Sequence, residues 1–379
     1  MTDGGIGHVV VVGTEDPWAS TTGGTVRTRA LVAAVAATGA RVTMVHPPGR
    51  TGPEVAAASL ATHVASTGLA ALHRVKTELL PLPTILGARD RTMSAQLADV
   101  CSDADLMIAT TLSTAQYWRS MPVARLWMEY SDVWSEFAAR EARQRRGVPR
   151  LSSALQSRHF RRLEADYNAV ASVVTAAGLS DRDVLAARGT RATWLPTPIA
   201  ELPEPSHDTR PGTRTAGFIG NFEFHPNRDA LDVLVTTWGP ELLRRGWRVA
   251  IAGRASESLP LPDWIVRLGS PASVDQFYEQ IDLALAPVRL GGGMKVKVVE
   301  ALLHGRPVVA SEFAMAGFPS DLRELVSVVD LDEPSFPSPD DPPPTWRRDH
   351  AALAPFTSSH FQQTVGRLLA RAVDPVGGP

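Results

Sequence analysis

The sequence predicts an α/β protein of two doubly wound halves, and three observations carry that reading. Short apolar runs alternate with helical patterns along most of the chain, as buried parallel strands alternate with crossover helices. A strand, turn and helix open the chain after Val9–Val12, and the same order restarts after Ala216–Ile219. Between the halves, Glu201 to Gly212 reads ELPEPSHDTRPG, a proline-rich polar stretch with the composition of a linker. At 379 residues the chain is long enough for two ordinary domains. The boundaries expected are 1–200 for the first, 213–355 for the second and 356–379 for a terminal helix.

The elements follow in order. Val9–Val12 ends at Gly13 as a first buried strand, and the polar loop TEDPWASTTGG leads to a helix over about 25–38. Gly23 and Gly24 stand just before that helix. Arg27 and Arg29 within it read as solvated arginines. Gly39 ends the helix and Arg41–Val45 is the second strand. No GxGxxG fingerprint accompanies this opening. Residues 50–100 carry a weaker pattern: an apolar run with prolines at Leu79–Leu86, then helical spacing over 90–100. Leu106–Ala109 and Val123–Met128 are further strands. Asp103 and Asp105 form an Asp-x-Asp ahead of a strand rather than after one, so a structural role outweighs metal binding. Asp181 and Asp183 repeat the spacing at a helix start.

Glu129, Asp132 and Glu136 gather after the strand at 123–128. A carboxylate in a first helical turn favours the helix whatever else it does. The arginine-rich stretch 140–162 reads as a solvated helical face, with contact to an anionic acceptor or lipid surface as the lesser alternative. Strands at 172–176 and 192–196, with a helix near 180–188, complete the first half. In the second half, Gly220-Asn221 turns out of the opening strand. A helix with Pro226 at a permitted early position follows. Strands are expected at 248–252 and 264–268, with a helix near 274–280. His360–Val373 closes the chain as an amphipathic helix.

Composition excludes several classes. Charged residues are 21% and the formal net charge is −2, which gives no support to a bulk electrostatic nucleic-acid binder. One cysteine, Cys101, rules out an internal disulfide and a multi-cysteine metal site. The opening MTDGGIGHVVVVG lacks the basic flank and apolar length of a signal or membrane span, so a soluble, cytoplasmic protein is expected. The oligomeric state has no signature.

The most informative stretch is 281–311, IDLALAPVRLGGGMKVKVVEALLHGRPVVAS. A buried strand leads through Gly291, Gly292 and Gly293 to a helix carrying Val296, Val299, Leu302 and Leu303 on one face. Gly305 and Pro307 stop that helix, and another buried strand follows. A glycine loop aimed at a helix N-terminus favours an anion, because free amides and the positive helix end converge there. Lysine occurs only at 76, 295 and 297, so Lys295 and Lys297 beside this loop stand out in an arginine-biased chain. Lysine serves phosphate as a compact point charge. Glu300, three residues past Lys297, shares roughly the same helix face and suits the hydroxyls of a sugar diol. The alternative is a loop glycine-rich for packing alone, with Glu300 paired to Lys297 on the surface.

The run GGGMKVKVVEALLHGRPVVAS resembles the donor-binding signature of retaining, group-1-type glycosyltransferases, which reads glycine-rich, basic, Lys-x-x-Glu-Ala and Gly-x-Pro-Val-Val. The resemblance implies the GT-B fold, two Rossmann-like domains facing across a cleft, with the final helix crossing back to the first domain. It implies transfer of a sugar from a nucleotide-diphosphate donor to a small-molecule or glycan acceptor with retention, without a metal and with no cofactor beyond the donor. It assigns donor binding to Gly23, Gly24, Arg228, Gly291, Gly292, Gly293, Met294, Lys295, Lys297 and Glu300, and catalytic roles to Lys297 and Asp132. Two departures stand out. The family's second glutamate, eight positions before Glu300, is here Gly292, and its turn cations are replaced near Asn221 and Asn227, with Arg228 as the substitute. Two further readings share the fold: a nucleotide-sugar epimerase, and a degenerate non-catalytic regulator.

Overall fold

The computed structural model describes residues 6–14, 16–18, 23–46, 62–65, 91–199, 214–291, 293–341 and 350–373. The expected linker at 201–212, the apolar run at 79–86 and Gly292 lie outside them. The chain forms two compact units, residues 1–198 with 358–379, and residues 199–357.

The first unit is built on a seven-stranded sheet in the order β3-β2-β1-β4-β5-β6-β7. Its strands are β1 (His8–Val12), β2 (Arg41–His46), β3 (Thr62–Ala65), β4 (Leu106–Ala109), β5 (Arg125–Tyr130), β6 (Val173–Ala176) and β7 (Thr193–Trp194). Every neighbouring pair is parallel. The helices are α1 (Gly23–Ala36), α2 (Arg91–Val100), α3 (Leu112–Ala115), α4 (Trp134–Gln144), α5 (Gly147–Asn168) and α6 (Leu179–Ala187). Val9 and Val11 face one core with Leu31, Val35 and Ile108, while Val10 and Val12 face another with Met107 and Tyr117. Burial on both faces explains why β1 is a continuous valine run.

The second unit repeats the plan with six parallel strands in the order β10-β9-β8-β11-β12-β13. These are β8 (Thr215–Ile219), β9 (Arg248–Ala252), β10 (Ile265–Arg267), β11 (Leu283–Ala286), β12 (Val308–Ser311) and β13 (Ser327–Val329). Its helices include α7 (His225–Val233), α8 (Gly239–Arg244), α9 (Val274–Glu279), α10 (Val296–Leu303), α11 (Glu312–Met315) and α12 (Ser320–Arg323). The last helix, α13 (Ser358–Val373), belongs to the first unit and packs on α1. In each sheet the order reverses beside the opening strand, between β1 and β4 and between β8 and β11. The carboxyl ends of those strands are where open α/β sheets bind ligands.

Four expectations need correction. Gly23 and Gly24 form the first turn of α1 instead of preceding it. Glu129 lies within β5, not after it. The arginine-rich stretch runs over two helices, α4 and α5, which part at Arg145–Arg146 just before Gly147, whose φ of 63° suits glycine. Arg27 is buried. It bonds Glu129 on β5, reaches Thr197 Oγ1 at 3.3 Å and lies 5.9 Å from the Phe361 ring centre.

Candidate functional site

The site grows from the switch point of the second sheet. β11 ends at Ala286, and the chain runs through Arg289 and the glycine loop into α10. Gly291 and Gly293 have φ of 108° and 61°, where a side chain would be strained. Arg289 holds the loop's start to α7 through two bonds to Asp229, at 2.9 and 3.0 Å. That carboxylate raises the arginine's already high pKa.

On the other side of the switch point, β8 ends in the Gly220–Asn221 turn. A Cβ on Gly220 would stand 2.9 Å from Asn227 Cγ, and one on Gly253 would stand 2.1 Å from the Gly220 carbonyl oxygen. Two bare backbones therefore let the β9 loop and Asn227 close around the turn. Asn227 is then held from both ends. Its Nδ2 donates to the Asn221 carbonyl at 2.8 Å, and its Oδ1 accepts from Lys297 Nζ at 3.1 Å.

Lys297 thus spans the switch point from α10 to Asn227 in the first turn of α7. Its ammonium sits 4.3 Å from the Phe218 ring centre, a cation–π placement. Burial pulls its pKa down to about 7, with the Glu300 charge opposing and Lys295 assisting. Glu300, one turn along α10, moves the other way: burial pushes its carboxyl up to about 7, against the pull of Lys297. Both residues are half-buried at the surface of the unit. The Tyr278 hydroxyl reaches Glu300 Oε2 at 3.4 Å and the Lys297 carbonyl at 3.2 Å. The Tyr278 ring stacks on His304 with centroids 4.3 Å apart. His304 is fixed at both ring nitrogens, by the Glu300 carbonyl at 2.7 Å and Asp275 Oδ1 at 2.9 Å. An ammonium and a carboxylate one turn apart, each displaced toward neutrality and each anchored from behind, suit a ligand bearing both an anionic group and hydroxyls.

The other expected residues are placed differently. Lys295 is the cap residue of α10; its Nζ donates to the Gly293 carbonyl at 2.7 Å and lies 5.1 Å from the Phe313 ring centre. Met294 is half-buried beside it. Two amides at the helix start, Val296 and Val298, already donate to the Met294 and Lys295 carbonyls, so the expectation of free amides is narrowed there. Arg228 is exposed and donates Nε to the Phe222 carbonyl, so Asn227, not Arg228, meets Lys297.

In the first unit, Gly23 and Gly24 are exposed, and a Cβ on Gly23 would meet nothing within 4 Å. Glu129, Asp132 and Glu136 do not converge. Glu129 faces Arg27, Glu136 bonds Arg188, and Asp132 is half-buried in the turn between β5 and α4. Asp103 and Asp105 serve the strand ends: Asp103 binds His8 at 2.9 Å and also Arg41, and Asp105 accepts from the Gly7 and His8 amides. Among the described residues no group of three or more His, Cys, Asp or Glu could hold a metal ion.

Nothing in the sequence singles out Tyr278, His304 and Asp275. Asp275 and Tyr278 lie on α9 and His304 at the end of α10, and no spacing rule connects those elements. Asn227 stands out in the sequence only as a departure from the family pattern.

Residues 213–329 match a family model described as glycosyl transferases group 1. No curated protein sequence matches the chain. Solved structures resemble it over nearly its whole length, the following three among them. Sucrose-phosphate synthase from Thermosynechococcus elongatus has a TM-score of 0.63 at 15% identity, covering 97% of this chain and 96% of that one. Anabaena HepE in complex with UDP-glucose has a TM-score of 0.61 at 13% identity, covering 96% and 99%. WaaG, a glycosyltransferase involved in lipopolysaccharide biosynthesis, has a TM-score of 0.56 at 14% identity, covering 96% and 90%. At these identities the likeness is one of fold: two Rossmann-like domains of the GT-B class.

Proposed function

We propose that the protein is a glycosyltransferase that moves a sugar from a nucleotide diphosphate to an acceptor, with retention of configuration and without a metal. The observation that carries this reading is Lys297 on Asn227 at the switch point, with Glu300 one turn away, inside the segment that matches the group 1 family. HepE is a complex with UDP-glucose, which supports a nucleotide sugar as the donor class.

In this scheme Lys297 takes the departing diphosphate. A dianionic leaving group beside an ammonium whose pKa is near 7 draws a proton onto it, so the lysine is charged when charge develops. Glu300 accepts hydrogen bonds from the ribose diol, its carboxylate oriented by the Tyr278 hydroxyl. Lys295 and the glycine loop give the diphosphate its second cation and close backbone approach. Gly23 and Gly24, at the N-terminus of α1, and Asp132 are the first unit's candidates for donor and acceptor contact. The regulator reading rests on Gly292, Asn221 and Asn227 standing where the family carries charge; donor binding without turnover would favour it.

Nucleoside diphosphates and nucleotide sugars, screened by thermal shift, test binding. Kinetics then separate the roles. Lys297→Ala should lower kcat more than it weakens donor binding, because the charge it meets grows in the transition state. Glu300→Ala should chiefly raise the donor KM, by about ten- to a hundredfold for a lost charged hydrogen bond. Equal behaviour of the two folded variants would refute the assignment.

A further inference from the structure

We propose that the tip of the α4–α5 hairpin docks on an anionic lipid bilayer. Residues 143–162 contain seven arginines and no aspartate or glutamate, in a chain whose net charge is −2. Each of the nine residues from 143 to 151 is exposed. Within this basic field Val148, Leu151 and Leu155 are 69%, 62% and 50% exposed. Their spacing places them on one face of α5, and Arg158 and Arg162 continue that face. The fold does not use this face. Phe160 and Tyr167 on the same helix bury themselves in the core, where Trp134 of α4 meets Phe160 at 5.7 Å between ring centres. Single exposed aliphatics are ordinary, but a stripe of them rimmed by cations marks an interaction surface.

The chemistry of the face selects the partner. Arg145 is spent on Glu141 and Arg161 lies 3.8 Å from Glu136, whereas Arg143, Arg146, Arg150, Arg158 and Arg162 make no ion pair among the described residues. A planar guanidinium binds phosphate oxygens in pairs. Aliphatic side chains between such cations match the boundary of headgroups and acyl chains, which is how an interfacial amphipathic helix binds. A single-stranded nucleic acid would call for aromatic stacking, and the exposed stripe holds none. No helix among the described residues is long and apolar enough to cross a membrane, so contact here would be peripheral.

Vesicle flotation of the full chain tests this independently of the transfer reaction. The protein should float with phosphatidylcholine vesicles containing phosphatidylglycerol and not with phosphatidylcholine alone, and added NaCl should weaken the association. Arg150→Ala, Arg158→Ala and Arg162→Ala should each lower partitioning about fivefold. Leu151→Gln with Leu155→Gln, which leaves charge unchanged, should lower it about tenfold or more. Should the Gln variant fold poorly, Leu151→Trp gives a direct readout: its added fluorescence should be quenched by lipids brominated along the acyl chain. Absence of flotation, flotation indifferent to the leucines, an unquenched signal from the Leu151→Trp variant, or preferential competition by RNA over anionic lipid would overturn the proposal.

Discussion

Lys297 and Glu300 make the second unit's stability depend on pH in a way the site itself dictates. The folded carboxyl of Glu300 releases its proton near 7, against 4.5 for an ordinary glutamate. Between those values the native state holds a proton that the unfolded chain has lost, so this group's contribution falls as pH rises through the window. The folded ammonium of Lys297 loses its proton near 7, against 10.5. Between those values the unfolded chain holds the extra proton, so the contribution rises with pH. The pair therefore stabilises the fold least near pH 7. Melting temperatures from pH 5 to pH 10 should show it: Glu300→Gln should flatten the acid limb and Lys297→Met the alkaline one. Parent-like profiles in both variants would mean that folding displaces the proton equilibrium of neither group. Both residues are legible in the sequence because lysine is so scarce there and because the glycine loop points at a helix start. Their supports are not. Asn227 precedes Lys297 by 70 residues, and Tyr278 precedes Glu300 by 22, separations that carry no periodic signal. Arg27 misleads for the same reason: its partner Glu129 is 102 residues away, and an arginine on a helix is solvated by default.

At the scale of elements, the strands are easy to read because a parallel sheet covered on both faces needs unbroken apolar runs, as at Val9–Val12 and Leu283–Ala286. Helix starts are harder. α1 begins on a glycine pair, which weakens the usual boundary cues, and α4 and α5 part at two arginines, with a glycine opening α5. The join between α1 and β5 is an ion pair closed to water, with Thr175 donating to the far oxygen of Glu129 and Trp127 Nε1 donating to Thr175 at 2.7 Å. Breaking one side of such a pair leaves a buried charge. Arg27→Met should cost about 3–5 kcal/mol in urea unfolding of the first unit, and Arg27→Met with Glu129→Gln should cost less than the single change. A single variant as stable as the parent would show that solvent reaches Glu129.

At the scale of the whole molecule, the chain's end belongs to its beginning. α13 follows the entire second unit in sequence, yet Phe361, Val365, Leu368, Leu369 and Ala372 sit in one core with Val9, Leu31 and Val35. Ile199 and Thr357, by contrast, bridge to each other within the second unit, with the Ile199 amide donating to the Phe356 carbonyl at 2.8 Å. The second unit is therefore inserted between two pieces of the first, and truncation should act at a distance in sequence. Removing residues 358–379 takes four large apolar side chains out of the first core, each contributing about 1.5–3 kcal/mol when fully buried. That loss is comparable with the whole stability of an ordinary domain, about 5–15 kcal/mol. Two units with separate cores also need not unfold as one. In calorimetry the shortened chain should lose the first unit's transition and bind a hydrophobic dye, while the second keeps its transition. A nucleoside diphosphate that binds the parent at the Lys297 site should still raise the remaining transition in the shortened chain. Retention of both transitions at parental temperatures would show that α13 contributes nothing to the core it lies against.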